Sequence, residues 1–410
     1  MHEGLGALVA RLWGPGDERD SPVVVTTGRL PATHRLVEEY AVVPSLRRPR
    51  YLLPVGGRQA VTAALGDHLS ATGPRSRAAA RALALAWASG TGPGLFRDRL
   101  RVGLDRRVPA HDRPRWLLLD RLALELDAPG LVAVVPVRRA TPNAKPTARL
   151  FTREGTACGY LKVGWSPATR ALVDNETRTL LALGGTAGVV EVPTVAAAGR
   201  WRGRRSFHVA RPLPARLTAW DGAPRASCGP LLDVAARGDV RDVRLDASPW
   251  TRSVLDRLEP AEAGVPVETA ALRATLGRVL GGPDGRAVLT FGRWHGDWVP
   301  WNLGRLGNRR MVWDWEYSAD AAPLGFDLLH WHFQTRLAHP DATVAVAVDA
   351  AWAARHDLLA LGVPREHHDL LVRLYVLEIL TRAVWLAGHG SGWNPKLQPG
   401  LLAAAAGCAA

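Results

Sequence analysis

Apolar and polar positions change rhythm along this chain, and the changes divide it. In the first 125 residues short alternating runs mix with longer amphipathic ones. Glu39–Ser45 and Tyr51–Val55 flank Leu46–Arg50 and predict a hairpin. Gly57–Ser70, Ser76–Ser89 and Pro114–Leu126 carry apolar residues at helical spacing. Gly90–Gly94 is a Gly/Pro break, and Asp127–Gly130 a turn. From residue 131 the alternation sharpens. Leu131–Arg138, Arg149–Arg153 and Gly159–Trp165 predict three consecutive strands, Pro167–Leu183 a helix, and Val189–Ala196 and Arg205–Arg211 two further strands. After about residue 220 the pattern is mainly helical, as in Glu268–Leu280, Leu324–Ala338 and His367–Ala387, with one strand-rich island at Ala287–Trp315. The expectation is an α+β chain in three stretches, 1–130, 131–212 and 213–400, with no internal repeat and no low-complexity tract beyond the alanine-rich tail.

Composition narrows the class. The chain has 410 residues, 47% of them hydrophobic, enough for two or three packed domains. No apolar run approaches the roughly 20 residues of a membrane span, the nearest being Ala79–Ala88 and Leu401–Ala410. Met1–Gly14 contains Glu3 and Arg11 and does not read as a signal peptide. Cys158, Cys228 and Cys408 lie far apart with no CxxC pair, which points to reduced thiols, no zinc and a cytoplasmic protein. The net charge of +14 could mean a nucleic-acid or anionic-membrane partner, but the basic residues are scattered and no motif supports either. Of 52 basic residues only Lys145, Lys162 and Lys396 are lysines. A lysine kept in so arginine-rich a chain is a candidate for work that needs a compact ammonium.

The strongest chemical signal is Trp294-His295-Gly296-Asp297-Trp298-Val299-Pro300-Trp301-Asn302. A carboxylate followed five positions later by an amide suits a base and a metal ligand on one rigid loop, and the spacing matches H-R-D-x-x-x-x-N with Gly in place of Arg. Gly307-Asn308 then lies between two strand-like runs and predicts a two-residue hairpin turn. Counting back from the turn puts Leu306 opposite Arg309 and Asn302 opposite Trp313, beside Asp314. The amide oxygen and the carboxylate therefore emerge at one end of the hairpin, as two hard ligands for magnesium.

A second constellation lies upstream. Lys162 sits in the apolar run Gly159–Gly164, and Leu172, Glu176 and Leu180 share one face of the following helix. A carboxylate on an apolar face is costly to bury unless it is paired, and Lys162 is the partner at hand.

Lys162, Glu176, His295-Gly296-Asp297, Asn302 and Asp314 stand in an order that resembles the aminoglycoside phosphotransferase and choline-kinase-like family, over roughly residues 131–390. The resemblance implies a bilobal protein-kinase-like fold: an antiparallel five-stranded nucleotide-binding lobe with one helix at 131–212, and a mainly helical lobe with the catalytic hairpin at 213–400. Residues 1–130 would be an added α+β cap. It implies ATP or another NTP with Mg2+ as cofactors, and a small-molecule hydroxyl as acceptor. Asp297 would be the catalytic base, and Asn302 and Asp314 the metal ligands. Lys162 would hold the α/β-phosphates and Glu176 orient it. Val209–Pro212 resembles the hinge that carries the base, with Val209 and Arg211 as nucleotide contacts, and Asp327 in Gly325-Phe326-Asp327-Leu328 a supporting aspartate. Two features depart from the family. The phosphate-covering loop reads Arg138–Pro146 and is not glycine-rich, so Lys145 is expected to contact the β- or γ-phosphate, and the leader is additional. Protein substrates are not expected, because Gly296 replaces the loop arginine, Trp-Glu follows Asp314 and no Ala-Pro-Glu segment occurs. A basic chain also argues against highly cationic acceptors. A metal-dependent phosphoester hydrolase using His295, Asp297, Asp314 and Glu316 is the alternative enzyme, and it leaves Lys162 and Glu176 without a role. A nucleotide-binding pseudokinase scaffold is the non-enzymatic alternative.

Overall fold

In the computed structural model the chain divides into two compact units, residues 1–177 with 194–213, and residues 178–193 with 214–410. The structure describes all residues except 1, 15–20, 69–73, 140, 142, 187, 221, 224–227, 260–265, 393–396 and 408–410. Lys396, Cys408, the expected helix end at 69–70 and two positions of the 138–146 loop therefore lie outside the described residues.

The first unit contains α1 (Glu3–Leu12), β1 (Val23–Thr26), β2 (His34–Val43), β3 (Tyr51–Pro54), α2 (Arg58–His68), α3 (Pro74–Ala88), α4 (Gly92–Leu95), β4 (Arg99–Asp105), α5 (Arg113–Trp116), α6 (Leu118–Glu125), β5 (Val132–Pro136), β6 (Thr147–Phe151), β7 (Ala157–Gly164) and most of α7 (Pro167–Leu183). After β8 (Val190–Glu191), which belongs to the second unit, β9 (Val195–Trp201) and β10 (Arg205–Ala210) complete it. The order expected from residue 131, three strands, a helix and two strands, is present.

Those strands do not form a sheet of their own. The described strands run β1-β4-β2-β3-β5-β6-β7-β10-β9 in one sheet, and β3 joins the two halves through Tyr51 opposite Pro136 and Leu52 opposite Val135. The β5 edge is thereby covered. One face packs a core that runs from Leu5, Leu8 and Trp13 through Tyr40 and Leu104 to Val163, Phe207 and Val209. The other face packs α2 and α3 through Ala60, Val61 and Trp87 against Val43, Val134 and Phe151.

Three expectations change. Pro114–Leu126 is two helices, because Leu117 between them is extended (φ −118°, ψ 117°). Val189–Ala196 splits at Pro193, which has no N–H to donate to a ladder. On one side β8 pairs in parallel with residues 310–311, and on the other β9 pairs with β10. The strand β4 lies outside the expected elements, although its buried Leu100, Val102 and Leu104 alternate with Arg99, Arg101 and Gly103.

The second unit is mainly helical: α8 (Cys228–Ala236), α9 (Pro249–Arg257), α10 (Pro266–Gly281), α11 (Phe326–Leu337), α12 (Val344–Ala353), α13 (His368–Leu386) and α14 (Gln398–Gly407). Its strands are β11 (Thr218–Ala219), β12 (Arg241–Arg244), β13 (Val288–Trp294), β14 (Leu303–Leu306), β15 (Arg309–Val312) and β16 (Ala319–Pro323). The island at 287–315 thus holds β13, which pairs with β12 and β16 in one small sheet, and β14 and β15, which lie with β11 and β8 in another. Among the described residues no helix is long and apolar enough to cross a membrane.

Candidate active site

In the second unit β13 delivers the chain into the loop 295–302. His295 is fully buried, and each of its ring nitrogens has a partner. Nδ1 accepts from the Asp297 N–H at 3.1 Å, so Nε2 carries the proton and donates to the Trp313 carbonyl at 3.1 Å. Burial holds its pKa down to about 4, leaving it neutral. His295 therefore ties the loop to the end of β15 and does not act as a metal ligand, which removes one residue from the hydrolase reading. Asp327, in the first turn of α11, accepts from the His295 N–H at 2.7 Å and the Gly296 N–H at 2.9 Å. Gly296 has φ +82°, and a Cβ there would stand 2.4 Å from the Tyr317 carbonyl oxygen. A side chain cannot occupy this position without displacing backbone, which explains the glycine where the spacing recommends arginine. Arg382 of α13 supplies a cation nearby. It donates to the Gly296 carbonyl at 2.7 Å and lies over the Tyr317 and Trp294 rings, 4.2 and 5.0 Å from their centroids.

The chain then presents Asp297 with both carboxylate oxygens engaged. The Asn302 amide donates to Oδ2 at 2.8 Å and to the Asp297 carbonyl at 3.0 Å. His330 of α11 meets Oδ1 at 3.0 Å through Nε2. Burial alone would raise this carboxyl, but the His330 hydrogen bond and the nearby Arg382 guanidinium pull it down to about 2. Asn302 closes a 3-10 turn at Pro300–Asn302 and is buried. The expected register holds: Leu306 faces Arg309, Leu303 faces Val312, and the Trp313 N–H donates to the Asn302 carbonyl at 3.1 Å. Gly307 takes the positive φ of +61° that the first central position of a type II′ turn requires. Asp314 follows in the left-handed region (φ 73°, ψ 52°), a conformation that aspartate tolerates better than most side chains and that turns it out of the strand.

The donor chemistry at this end fits a hard divalent cation. With its Nδ2 turned to Asp297, Asn302 has its amide oxygen left as a ligand, and Asp314 adds a carboxylate.

In the first unit Lys162 of β7 donates to both oxygens of Glu176 in α7, at 2.8 and 2.6 Å, with the glutamate side chain 4% exposed. Lys162 is in register with Thr147 of β6 on one side and His208 of β10 on the other. His208 is buried, its Nδ1 3.1 Å from the Thr177 hydroxyl, and burial beside the Lys162 charge lowers it to about 4. Val209 is fully buried in register with Leu161, and the Arg211 N–H donates to the Thr194 carbonyl at 2.8 Å. A base carried at 209–212 would therefore not meet the Arg211 N–H. Lys145 is half-buried and lines a cavity of about 20 Å³ with Arg11, Arg138 and Arg139. The leader holds this loop: Arg11 of α1 donates to the Ala144 carbonyl at 2.9 Å and stacks 4.2 Å over Trp165, whose indole N–H donates to the same carbonyl at 3.1 Å.

Sequence reasoning did not single out His330, Tyr375 or Arg382. Signals were present. His330 follows Asp327 by three residues on one helix face, and Tyr375, Glu378 and Arg382 form a polar stripe on the apolar helix α13.

No family model matches the chain, and no curated protein does. Solved structures do. A choline kinase from Streptococcus pneumoniae matches at 13% identity, over 71% of this chain and 97% of the other, with a TM-score of 0.44. An aminoglycoside phosphotransferase in complex with ADP and hygromycin B matches at 13% identity, over 71% and 95%, with a TM-score of 0.36. An amicoumacin kinase in complex with AMP-PNP and Ca2+ matches at 13% identity, over 74% and 95%, with a TM-score of 0.41. At such identities and scores the functional assignment rests on this chain's own residues.

Proposed function

We propose that the chain is an ATP- and Mg2+-dependent small-molecule kinase that phosphorylates a hydroxyl of a metabolite, sugar or amino-alcohol-like acceptor. The observation that carries the reading is the Lys162–Glu176 pair, a buried carboxylate gripping one of the chain's three lysines through both oxygens. Phosphoester hydrolysis gives that pair nothing to do, and nucleotide phosphates do.

Lys162 is assigned to the nucleotide phosphates, with Glu176 fixing its ammonium. Lys145 is assigned to the β- or γ-phosphate, and the 209–212 segment to the nucleotide base. Asn302 and Asp314 are assigned to the magnesium ion, which when bound neutralises phosphate charge and aligns the transferring group. Asp297 is assigned to the acceptor hydroxyl. A carboxyl near 2 is a weak proton acceptor, so its contribution is to orient the hydroxyl and receive its proton as the bond to phosphorus forms. Asp327 and His295 hold the loop that carries it.

The test is transfer of labelled γ-phosphate from ATP onto pooled metabolites, measured beside release of free phosphate. A labelled organic product that depends on magnesium supports the kinase. Phosphate release without product supports the hydrolase, and nucleotide binding with neither supports the scaffold.

A further inference from the structure

We propose that His330, held by Tyr375, is a positioning residue that fixes the orientation of the Asp297 carboxylate. The inference deepens the kinase reading and rests on it for its kinetic arm only. Both ring nitrogens of His330 are engaged: Nε2 lies 3.0 Å from Asp297 Oδ1, and Nδ1 lies 3.0 Å from the Tyr375 hydroxyl. His330 is 4% exposed and Tyr375 fully buried, so both groups meet their partners away from bulk water.

The direction of each hydrogen bond follows from the chemistry of the groups. Ionised Asp297 has no proton to give, so Nε2 must carry one and donate it. Burial lowers the imidazole's pKa and favours its neutral form, which leaves Nδ1 bare to accept from the buried phenol. The chain Tyr375 O–H to Nδ1, Nε2–H to Oδ1 admits a single tautomer. Asn302 fixes the other oxygen, so the carboxylate cannot rotate about its Cβ–Cγ bond without losing one of two hydrogen bonds. A misplacement of about 1 Å at a reacting group can cost roughly 100-fold in rate, so a fixed carboxylate plane has kinetic value. The phenyl rings of Phe326 and Phe333, edge-on to Tyr375 at 5.9 and 5.8 Å, hold the phenol in turn.

The experiment compares His330→Leu, His330→Gln and Tyr375→Phe, each also combined with Asp297→Asn, in the full chain. His330→Leu is expected to lower kcat about 10- to 100-fold with the KM for ATP within about twofold. The glutamine variant, which can still donate toward Oδ1, should recover most of that loss, and Tyr375→Phe should lose less than the leucine variant. In the Asp297→Asn background His330→Leu should cost less than about twofold, because the group it positions is gone. Additive losses, or a glutamine variant as slow as the leucine one, would overturn the proposal. Nitrogen-15 NMR of the imidazoles gives a reading independent of turnover and of folding variants. In the wild-type chain His330 should be neutral with its proton on Nε2, and that signal should shift in Asp297→Asn. A proton on Nδ1 refutes the positioning role. A chain that transfers no phosphoryl group while showing the Nε2 tautomer refutes the kinase reading instead.

Discussion

Asn302 holds Asp297 twice, donating one amide group to the aspartate's carbonyl at 3.0 Å and to its carboxylate at 2.8 Å. The two residues are five apart in sequence, yet the hold works because the Pro300–Asn302 turn folds the chain back on itself and the hairpin pins Asn302 from the far side. One face of the amide thus fixes the proposed base, and its oxygen is left as the proposed metal ligand.

This division of one hairpin between two roles gives the first prediction. Asp297→Asn should cut turnover by about 10²–10⁴ while magnesium-nucleotide binding stays near wild type. Asp314→Asn should weaken magnesium dependence and nucleotide binding together. Titrations of metal and nucleotide by calorimetry decide between them, and a reversed pattern would reverse the assignments.

Lys162→Met should raise the KM for ATP by about tenfold or more, the loss of one charge-assisted contact to phosphate. Glu176→Gln should do the same more mildly, since the amide still accepts from the ammonium through one oxygen. Melting curves recorded alongside separate this from unfolding, because the methionine variant leaves a buried carboxylate without its cation and should also lower Tm. Unchanged ATP kinetics in both variants would remove the pair from the site.

The leader should affect nucleotide use through Arg11. Arg11→Ala removes the bond to the Ala144 carbonyl and the stacking on Trp165, and with them the brace on the loop that contains Lys145. The KM for ATP should rise about three- to tenfold while acceptor KM stays constant, and Lys145→Ala should move the same constant. If Lys145→Ala leaves it within error, the loop covers the site without contacting phosphate.

Gly296→Ala should destabilise the protein by about 1–3 kcal/mol, because the added methyl meets the Tyr317 carbonyl at a residue whose φ already disfavours a side chain. Chemical denaturation measures it. Stability equal to wild type would mean that the loop relaxes more easily than the five hydrogen bonds around His295 and Gly296 suggest.

Stability should fall as pH rises, through Glu38. Burial raises this carboxyl to about 7, against the lowering effect of its bonds from the Tyr40 hydroxyl (2.7 Å) and the Trp13 indole (3.4 Å). A folded-state pKa above the unfolded one means that the folded chain binds the extra proton. The stabilisation is complete below about pH 4.5 and is lost as pH rises toward and through 7. Glu38→Gln should flatten the Tm profile between pH 5 and 8. An unchanged slope would place the titration elsewhere.

The sequence by itself determined the local chemistry. Strand alternation, helical spacing and a two-residue turn are set by neighbours within a few positions, so the hairpin register and the Lys162–Glu176 face could be counted off the residues. The predicted pairing of Leu306 with Arg309 recurs in the structure, as does the pairing of Lys162 with Glu176. Tertiary structure decided what depends on distant segments. Nothing local in Tyr51–Pro54 says that it will pair with Val132–Pro136 and merge the leader into one sheet, because strand pairing across some eighty residues is fixed by which apolar faces share a core. Likewise His330 and Tyr375 read as ordinary residues of apolar helices. Only the packing of α11 and α13 brings an imidazole, a phenol and a guanidinium to a carboxylate and a loop carbonyl from 33 to 86 residues away. Buried polar groups must find partners, and which partners they find is a property of the packed core.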